Sequence, residues 1–244
     1  MRRYDAVTFD MGYTLIYFHP PEIEVLLSAY HSLGLRPPLE ALRQAQDLAW
    51  QEYRANAACA TFEPSPQRDR EIDEGLARRT LEHLGLYREG LVAPLVAAVK
   101  AAFSAPGVIR PYPEVIQVLQ TLRARGLRLG IVSNWSWDLE DHARRAGLSG
   151  YFDVIVASAR AGCDKPHPAI FQRALRALGC RPERALHIGD SYEADVAGAL
   201  GVGMQALWLD RDGRGGHPEP RSIRDLSEAL PVVLDGPTGR RSEP

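Results

Sequence analysis

Cysteine, lysine and long apolar runs are scarce in this chain, and each scarcity excludes a class of protein. The three cysteines, Cys59, Cys163 and Cys180, are far apart and show no CxxC spacing. Neither a disulfide framework nor a zinc site is therefore indicated. No apolar run reaches the roughly 18 residues of a membrane-spanning helix, and the N-terminus leads directly into a strand pattern instead of a signal peptide. We expect a cytoplasmic protein without a membrane partner.

The charge balance gives no sign of a polyanionic partner. The formal net charge is −2, so no basic face for nucleic acid is expected. Only two of the 29 basic residues are lysines, Lys100 and Lys165. Chemistry that requires an amine therefore has two candidates.

Five short runs rich in Val, Ile and Leu predict buried strands, and amphipathic patterns predict helices between the later ones. The strand patterns are AVTF at 6–9, LRLGIVS at 127–133, VIVAS at 154–158, ALHIG at 185–189 and QALWL at 205–209. Helical patterns cover 114–126, 136–147, 169–179 and 193–201, and each ends on glycine. This alternation predicts an α/β fold with a doubly wound, Rossmann-like parallel sheet.

Residues 18–106 interrupt the alternation. They contain no good strand pattern and show helical periodicity at 22–34, 39–58, 68–85 and 91–103. Proline-rich stretches at 19–21 and 104–113 border the segment and suit paired hinges. We therefore predict an inserted helical cap domain of residues 18–106 and a core domain of residues 1–17 and 107–244. After residue 210 the pattern predicts a polar loop, a weak helix around 225–230 and a disordered tail from 236.

Polar side chains follow four of the predicted strands at their carboxyl ends. They are Asp10 and Thr14 after the first strand, Ser133 and Asn134 after the second, Lys165 after the third, and Asp190 and Asp195 after the fourth. Ligands of open parallel sheets bind at this edge. Carboxylates, a hydroxyl and a lysine at one edge suit phosphoryl transfer, with a nucleophile, a metal cage, an anion-binding hydroxyl and a fixed cation.

Four segments in this order, each at a strand end, resemble the haloacid dehalogenase superfamily, in the branch that carries a helical cap after the first strand. They are FDMGYTL, IVSN, GCDKPHPAIF and IGDSYEADVAGA, and the resemblance covers nearly the whole chain. It implies that Asp10 is the nucleophile and becomes phosphorylated. Ser133 would bind the transferring phosphoryl oxygens, with Thr14 and Asn134 beside it, and Lys165 would pair with these oxygens and with Asp10.

The resemblance also implies a cofactor and a substrate class. Mg²⁺ would be held by Asp10, Asp190, Asp195 and the backbone carbonyl of Gly12, since this ion prefers hard oxygen ligands. The reaction would be hydrolysis of a small phosphorylated metabolite. The sequence leaves the oligomeric state open between a monomer and a homodimer.

Position 12 departs from the pattern of the superfamily. Most of its phosphatases have an aspartate there, which serves as general acid and then as general base, whereas this chain has Gly12. A positioned acid or base contributes about 10²- to 10⁴-fold. Turnover should therefore be slowed and not abolished, acyl and aryl phosphates should be favoured over alkyl phosphates, and phosphoenzyme should accumulate. The candidate substitutes are Tyr13, Tyr17, His19, Glu22 or a residue of the insertion.

Three alternatives stay open. A catalytically weakened relative would bind a phosphometabolite or a protein partner without useful turnover. A 2-haloacid dehalogenase would attack carbon without a metal, although the superfamily's dehalogenases lack the loop that Asp190 and Asp195 form here. A phosphonate-cleaving enzyme would need a cap lysine for a Schiff base, and only Lys100 is available. Trp135 and Trp137 could stack on a substrate or pack against the cap.

Overall fold

A computed structural model describes residues 3–57, 60–213, 215 and 222–234. Cys59, the tail predicted to be disordered and part of the polar loop predicted after residue 210 lie outside these ranges. No helix within the described ranges is long and apolar enough to cross a membrane.

A six-stranded parallel sheet forms the centre of the fold. The strands of the described chain are β1 (Ala6–Phe9), β2 (Ile16–Phe18), β3 (Ile109–Pro111), β4 (Arg128–Ser133), β5 (Val154–Ala157), β6 (Ala185–Gly189), β7 (Gln205–Leu209) and β8 (Ser222–Ile223). The spatial order in the six-stranded sheet is β5-β4-β1-β6-β7-β8. Because β1 pairs with β4 on one side and β6 on the other, the winding reverses at β1. The predicted Rossmann-like α/β fold is confirmed.

Helices cover both faces of this sheet and fill the segment between β2 and β3. The described α-helices are α1 (Glu22–Ser32), α2 (Leu39–Ala57), α3 (Pro66–His83), α4 (Val92–Phe103), α5 (Val115–Ala124), α6 (Leu139–Arg145), α7 (Ser158–Ala161), α8 (Pro168–Leu178), α9 (Gly198–Gly201) and α10 (Ala229–Leu234). Local signals set several of their ends. Ser65 caps α3 by accepting from the Arg68 N–H, with proline at the first helical position, and α8 ends at Gly179 in a left-handed conformation.

The buried apolar side chains form three clusters, two between the sheet and its helices and one among the helices α1–α4. Side chains of α5, α6 and α10 pack on one face of the sheet, and side chains of α8 and α9 pack on the other. Because both faces are covered, all four residues of β1 are buried. The helices α1–α4 have an apolar cluster of their own, around Tyr30, Leu42 and Leu81. They occupy the segment predicted as an inserted domain, and the division into two domains stays a prediction.

Some elements differ from the sequence prediction. Strands β2 and β3 form an antiparallel two-stranded sheet next to the insertion, and β8 extends the main sheet. They have only two or three residues each, which is too short for a recognisable alternation. The helix predicted at 193–201 is a π-helical turn, Tyr192–Ala197, followed by α9.

Candidate active site

The carboxyl edge of the sheet brings together the polar residues that follow its strands. Asp10 follows β1, Ser133 ends β4 and Asp190 follows β6. Lys165 lies in the loop between α7 and α8, and Asp195 lies in the π-helical turn after β6. Because β1 lies between β4 and β6, these loops meet over the middle of the sheet.

Lys165 is the cation of the site. Its side chain is only 2% exposed, and its Nζ lies 2.5 Å from Asp10 Oδ1 and 2.5 Å from Asp195 Oδ1. Burial opposes the charge of the ammonium group, but the two carboxylates outweigh burial and raise the pKa of Lys165. Lys165 therefore stays protonated at neutral pH in direct contact with Asp10.

The backbone of Lys165 is held by Asn134. The Lys165 N–H donates to Asn134 Oδ1 at 2.6 Å, and Asn134 Nδ2 donates to the Lys165 carbonyl at 3.0 Å. This pair ties the lysine loop to the end of β4, next to Ser133. The structure thus gives Asn134 a role in positioning Lys165, and its predicted contact with phosphate stays a prediction.

Three carboxylates form a cluster around this lysine. One oxygen from each of Asp10, Asp190 and Asp195 lies within 4.8 Å of the others. Burial and the charges of the other two carboxylates raise the pKa of Asp190 to about 7. Burial also raises the pKa of Asp10, although Lys165 and a hydrogen bond from Ser133 act in the opposite direction. One lysine does not balance three carboxylates, so the donor set fits a hard divalent cation such as Mg²⁺.

Asp195 differs from the other two carboxylates because protein donors already occupy both of its oxygens. Oδ1 accepts from Lys165 Nζ and from His187 Nε2, and Oδ2 accepts from the Ser191 N–H. Burial alone would raise the pKa of Asp195, but Lys165 and His187 hold it well below its usual range. The carboxylate fits against β6 because residue 189 is glycine: a Cβ there would lie 2.1 Å from Asp195 Cγ.

The loop after β1 is fixed by buried polar contacts. Thr14 is fully buried, and its hydroxyl donates to Asp190 Oδ1 at 3.4 Å. The Arg211 guanidinium donates to the carbonyls of Tyr13 and Thr14 and pairs with Glu114. The sequence analysis did not identify Arg211, because its partners, two backbone carbonyls and the Glu114 carboxylate, lie far away in the chain.

The space beside Gly12 is bordered by an aromatic ring. A Cβ at position 12 would lie 3.5 Å from Trp135 Cζ3, an ordinary contact. The Trp135 indole stacks near the Phe18 ring at a centroid distance of 6.4 Å, and its N–H donates to His142 Nδ1 at 3.0 Å. Trp135 is thus a fixed apolar neighbour of the position where an acid was expected.

Among the predicted substitutes for that acid, Tyr13 and Glu22 form a pair. The Tyr13 hydroxyl donates to Glu22 Oε2, which joins the loop after β1 to the first turn of α1. Partial burial and the Glu22 carboxylate raise the pKa of Tyr13. Tyr17 instead packs against Tyr112, at a centroid distance of 5.1 Å.

The inserted helices contact the loops that carry the site. The Tyr53 hydroxyl donates to Asp164 Oδ2 at 2.8 Å, next to Lys165, and the Trp137 N–H donates to Asp69 Oδ1 at 3.2 Å. Trp137 itself packs under the Arg160 guanidinium, 5.0 Å from the ring centroid. Asp10 itself is only 9% exposed.

Lys100 lies in an ion-paired environment on α4. Its Nζ is 2.7 Å from Asp73 Oδ2 and 3.9 Å from Asp69 Oδ2. Partial burial acts against the charge, but these carboxylates raise the pKa of Lys100. A lysine that forms a Schiff base must be a neutral amine. The contacts of Lys100 argue against the phosphonate-cleaving alternative.

Comparison with known proteins identifies a family that matches most of the chain. The family model described as haloacid dehalogenase-like hydrolase matches residues 4–203. The human haloacid dehalogenase-like hydrolase domain-containing protein 3 is 30% identical over 249 residues, with 95% of each chain covered. A phosphoserine phosphatase from Thermus thermophilus is 39% identical over 123 residues, which cover 49% of each chain.

A solved structure shows the same fold. The magnesium-bound crystal structure of a HAD-hydrolase, YfnB from Bacillus subtilis, superposes with a TM-score of 0.77 at 21% identity and covers 95% of this chain and 99% of that one. One assignment follows from the sheet order, from the loops at the carboxyl edge of the sheet and from the match to the family model along most of the chain. The chain belongs to the haloacid dehalogenase-like hydrolases.

Proposed function

We propose that this hydrolase is a magnesium-dependent phosphatase that acts on a small phosphorylated metabolite through an aspartyl-phosphate intermediate on Asp10. One observation supports this proposal most directly. Lys165 Nζ contacts the carboxylate of Asp10, and an oxygen of Asp190 lies within 4.8 Å of an Asp10 oxygen. A nucleophile, a fixed cation and an anionic ligand for a metal thus converge within one small volume.

Each residue has a role in this proposal. An Asp10 oxygen attacks the phosphorus atom as the bond from phosphorus to the leaving oxygen breaks, and water then hydrolyses the aspartyl phosphate. Lys165 and the Ser133 hydroxyl stabilise the negative charge on the phosphoryl oxygens. Asp10, Asp190 and the Gly12 carbonyl would hold Mg²⁺, which supplies further charge stabilisation when bound.

Asp195 has a supporting role in this proposal. Its two oxygens already accept from Lys165, His187 and the Ser191 N–H. Direct ligation of a metal would have to compete with these donors. We therefore assign Asp195 mainly to the orientation of Lys165.

The surroundings of Gly12 bear on the choice of substrate. Trp135 borders this position, and an indole ring cannot protonate a leaving oxygen. Substrates whose leaving groups need no proton, such as acyl and aryl phosphates, should therefore react faster than alkyl phosphates. The phosphatase name of the Thermus relative supports phosphate esters as the substrate class. The compartment, the oligomeric state and the lack of nucleic-acid and membrane partners stay predictions.

Hydrolysis of an aryl phosphate with and without Mg²⁺ tests the proposal. We expect Mg²⁺-dependent release of phosphate by the wild type and none by Asp10→Asn, a substitution that keeps the size of the side chain. Binding of phosphate without turnover would identify a weakened relative. Metal-independent halide release from a 2-haloacid, lost in Asp10→Asn, would identify a dehalogenase and contradict the proposal.

A further inference from the structure

A histidine lies behind the active site, inside the central sheet. His187 is the middle residue of β6 and is 0% exposed. Its Nδ1 lies 2.9 Å from the Thr8 hydroxyl on β1, and its Nε2 lies 3.0 Å from Asp195 Oδ1. The ring packs edge-on against Phe171 at a centroid distance of 5.2 Å. The imidazole thus joins the strand that precedes Asp10 to the carboxylate that contacts Lys165.

The direction of these hydrogen bonds follows from the chemistry of the partners. Oδ1 of Asp195 accepts from the ammonium group of Lys165 and Oδ2 accepts from the Ser191 N–H, so the carboxylate presents only acceptors to its neighbours. His187 Nε2 must therefore carry a proton and donate to Asp195. The Thr8 hydroxyl can donate to Nδ1 of the neutral ring or accept from it if the ring is charged. The contact with Asp195 is the same in both cases.

Asp195 Oδ1 is the atom through which His187 can act on the site. It accepts from His187 on one side and from Lys165 on the other, and Lys165 in turn contacts Asp10. A lysine side chain has about 2 kcal/mol of rotamer entropy, so a fixed second partner helps to hold its ammonium group beside Asp10. The Ser191 N–H fixes Oδ2 of Asp195, and His187 fixes Oδ1.

We propose that His187 is a positioning residue, which orients the Asp195 carboxylate so that Lys165 Nζ is held against Asp10. This inference rests on the proposed function for its kinetic readout only. Outer-shell partners of this kind typically change activity or metal affinity by about 10- to 100-fold when they are replaced.

Two amide substitutions separate positioning from a purely structural role. The amide nitrogen of Gln can occupy the place of Nε2 and donate to Asp195, whereas the shorter Asn reaches only the place of Nδ1. Both substitutions remove the ring that packs on Phe171. We expect His187→Gln to keep kcat for an aryl phosphate within about tenfold of the wild type and His187→Asn to lower kcat by about 100-fold. KM should change little, and the two variants should lose similar thermal stability.

The scarcity of lysine provides a second readout that needs no substrate. In protein labelled with ¹⁵N on the lysine side chains, the ammonium spectrum contains Lys165 and, as an internal reference, the 41% exposed Lys100. The Lys165 signal should be protected from solvent exchange in the wild type and in His187→Gln and broadened or lost in His187→Asn. The Lys100 signal should not differ among the three proteins.

The outcomes distinguish the two proposals. A wild type that hydrolyses no phosphate ester overturns the proposed function, and the ammonium spectra alone then decide on His187. Equal loss of kcat in both variants, or an unchanged Lys165 signal in His187→Asn, would overturn the positioning role.

Discussion

Replacing Gly12 with aspartate should create the proton donor that this chain lacks. Gly12 has no positive φ, so an L-residue can adopt its backbone conformation. A Cβ would meet only Trp135 Cζ3, at 3.5 Å, which is ordinary contact. Replacing a glycine at such a position often stabilises a protein by about 0.4–1 kcal/mol, through the lower entropy of the unfolded chain. The Gly12→Asp protein should therefore fold.

The size of the effect follows from two opposing contributions. A positioned acid contributes about 10²- to 10⁴-fold, or roughly 3–5 kcal/mol of transition-state stabilisation. The new carboxyl group would lie near Asp10 and Asp190, and two charges about 6 Å apart repel by about 3 kcal/mol at an effective dielectric constant of 20. This repulsion raises the pKa of the introduced group, as an acid requires, but weakens the site when all carboxylates are ionised. We expect a gain of about 10²-fold in kcat/KM for alkyl phosphates.

The assay compares an alkyl and an aryl phosphate at saturating Mg²⁺. Gly12→Ala is the matched control, because it adds the Cβ without the carboxyl group. The ratio of alkyl to aryl kcat/KM should rise in Gly12→Asp and stay at the wild-type value in Gly12→Ala. The same ratio in all three proteins would refute the explanation that an absent acid limits turnover.

Three further predictions concern the charges around the site. Mg²⁺ at 100 times its Kd should stabilise the wild type against thermal unfolding by about 2.7 kcal/mol. The stabilisation by Mg²⁺ should be smaller in Asp190→Asn. Equal stabilisation of both proteins would place the metal elsewhere. Lys165→Met removes the cation from a buried cluster of carboxylates. In the absence of Mg²⁺ this should lower the free energy of unfolding by about 3–5 kcal/mol. An unchanged denaturation midpoint would count against the buried ion pairs. Burial opposes ionisation of Asp138, but the Ser136 hydroxyl donates to Asp138 Oδ1 at 2.7 Å and helps to hold the pKa of Asp138 below its usual range. After discounting for partial exposure this contributes about 1 kcal/mol. Because the folded-state pKa is depressed, that contribution is present above about pH 4 and lost as the pH falls towards 2, so the stability difference between wild type and Asp138→Asn should shrink over this interval.

The parts of the fold and site that the sequence predicts are those with local signals. Strand β1 is a continuous apolar run because both sheet faces are covered, and Asp10 follows it directly. Parallel strands bring their carboxyl ends to one edge, so the convergence of Asp10, Lys165 and Asp190 also follows from the pattern of elements. The strands at 16–18 and 222–223 have no such signal.

Contacts between distant segments could not be predicted in this way. The partner of the Asn134 amide is the backbone of Lys165, and the neighbour of Gly12 is Trp135. His187 lies within an apolar strand pattern, and its polar side chain at a buried position was the only available hint. Its partners are known only once β1 and β6 are paired.

Covalent labelling of Asp10 tests the central claim most directly. The protein is mixed with an acyl phosphate and Mg²⁺ and quenched in acid, and the peptide that contains Asp10 is analysed by mass spectrometry. We predict the added mass of one phosphoryl group on this peptide in the wild type and much less in Asp190→Asn. Release of phosphate by the wild type, with no phosphoryl group on Asp10 at any quench time, would contradict the proposal.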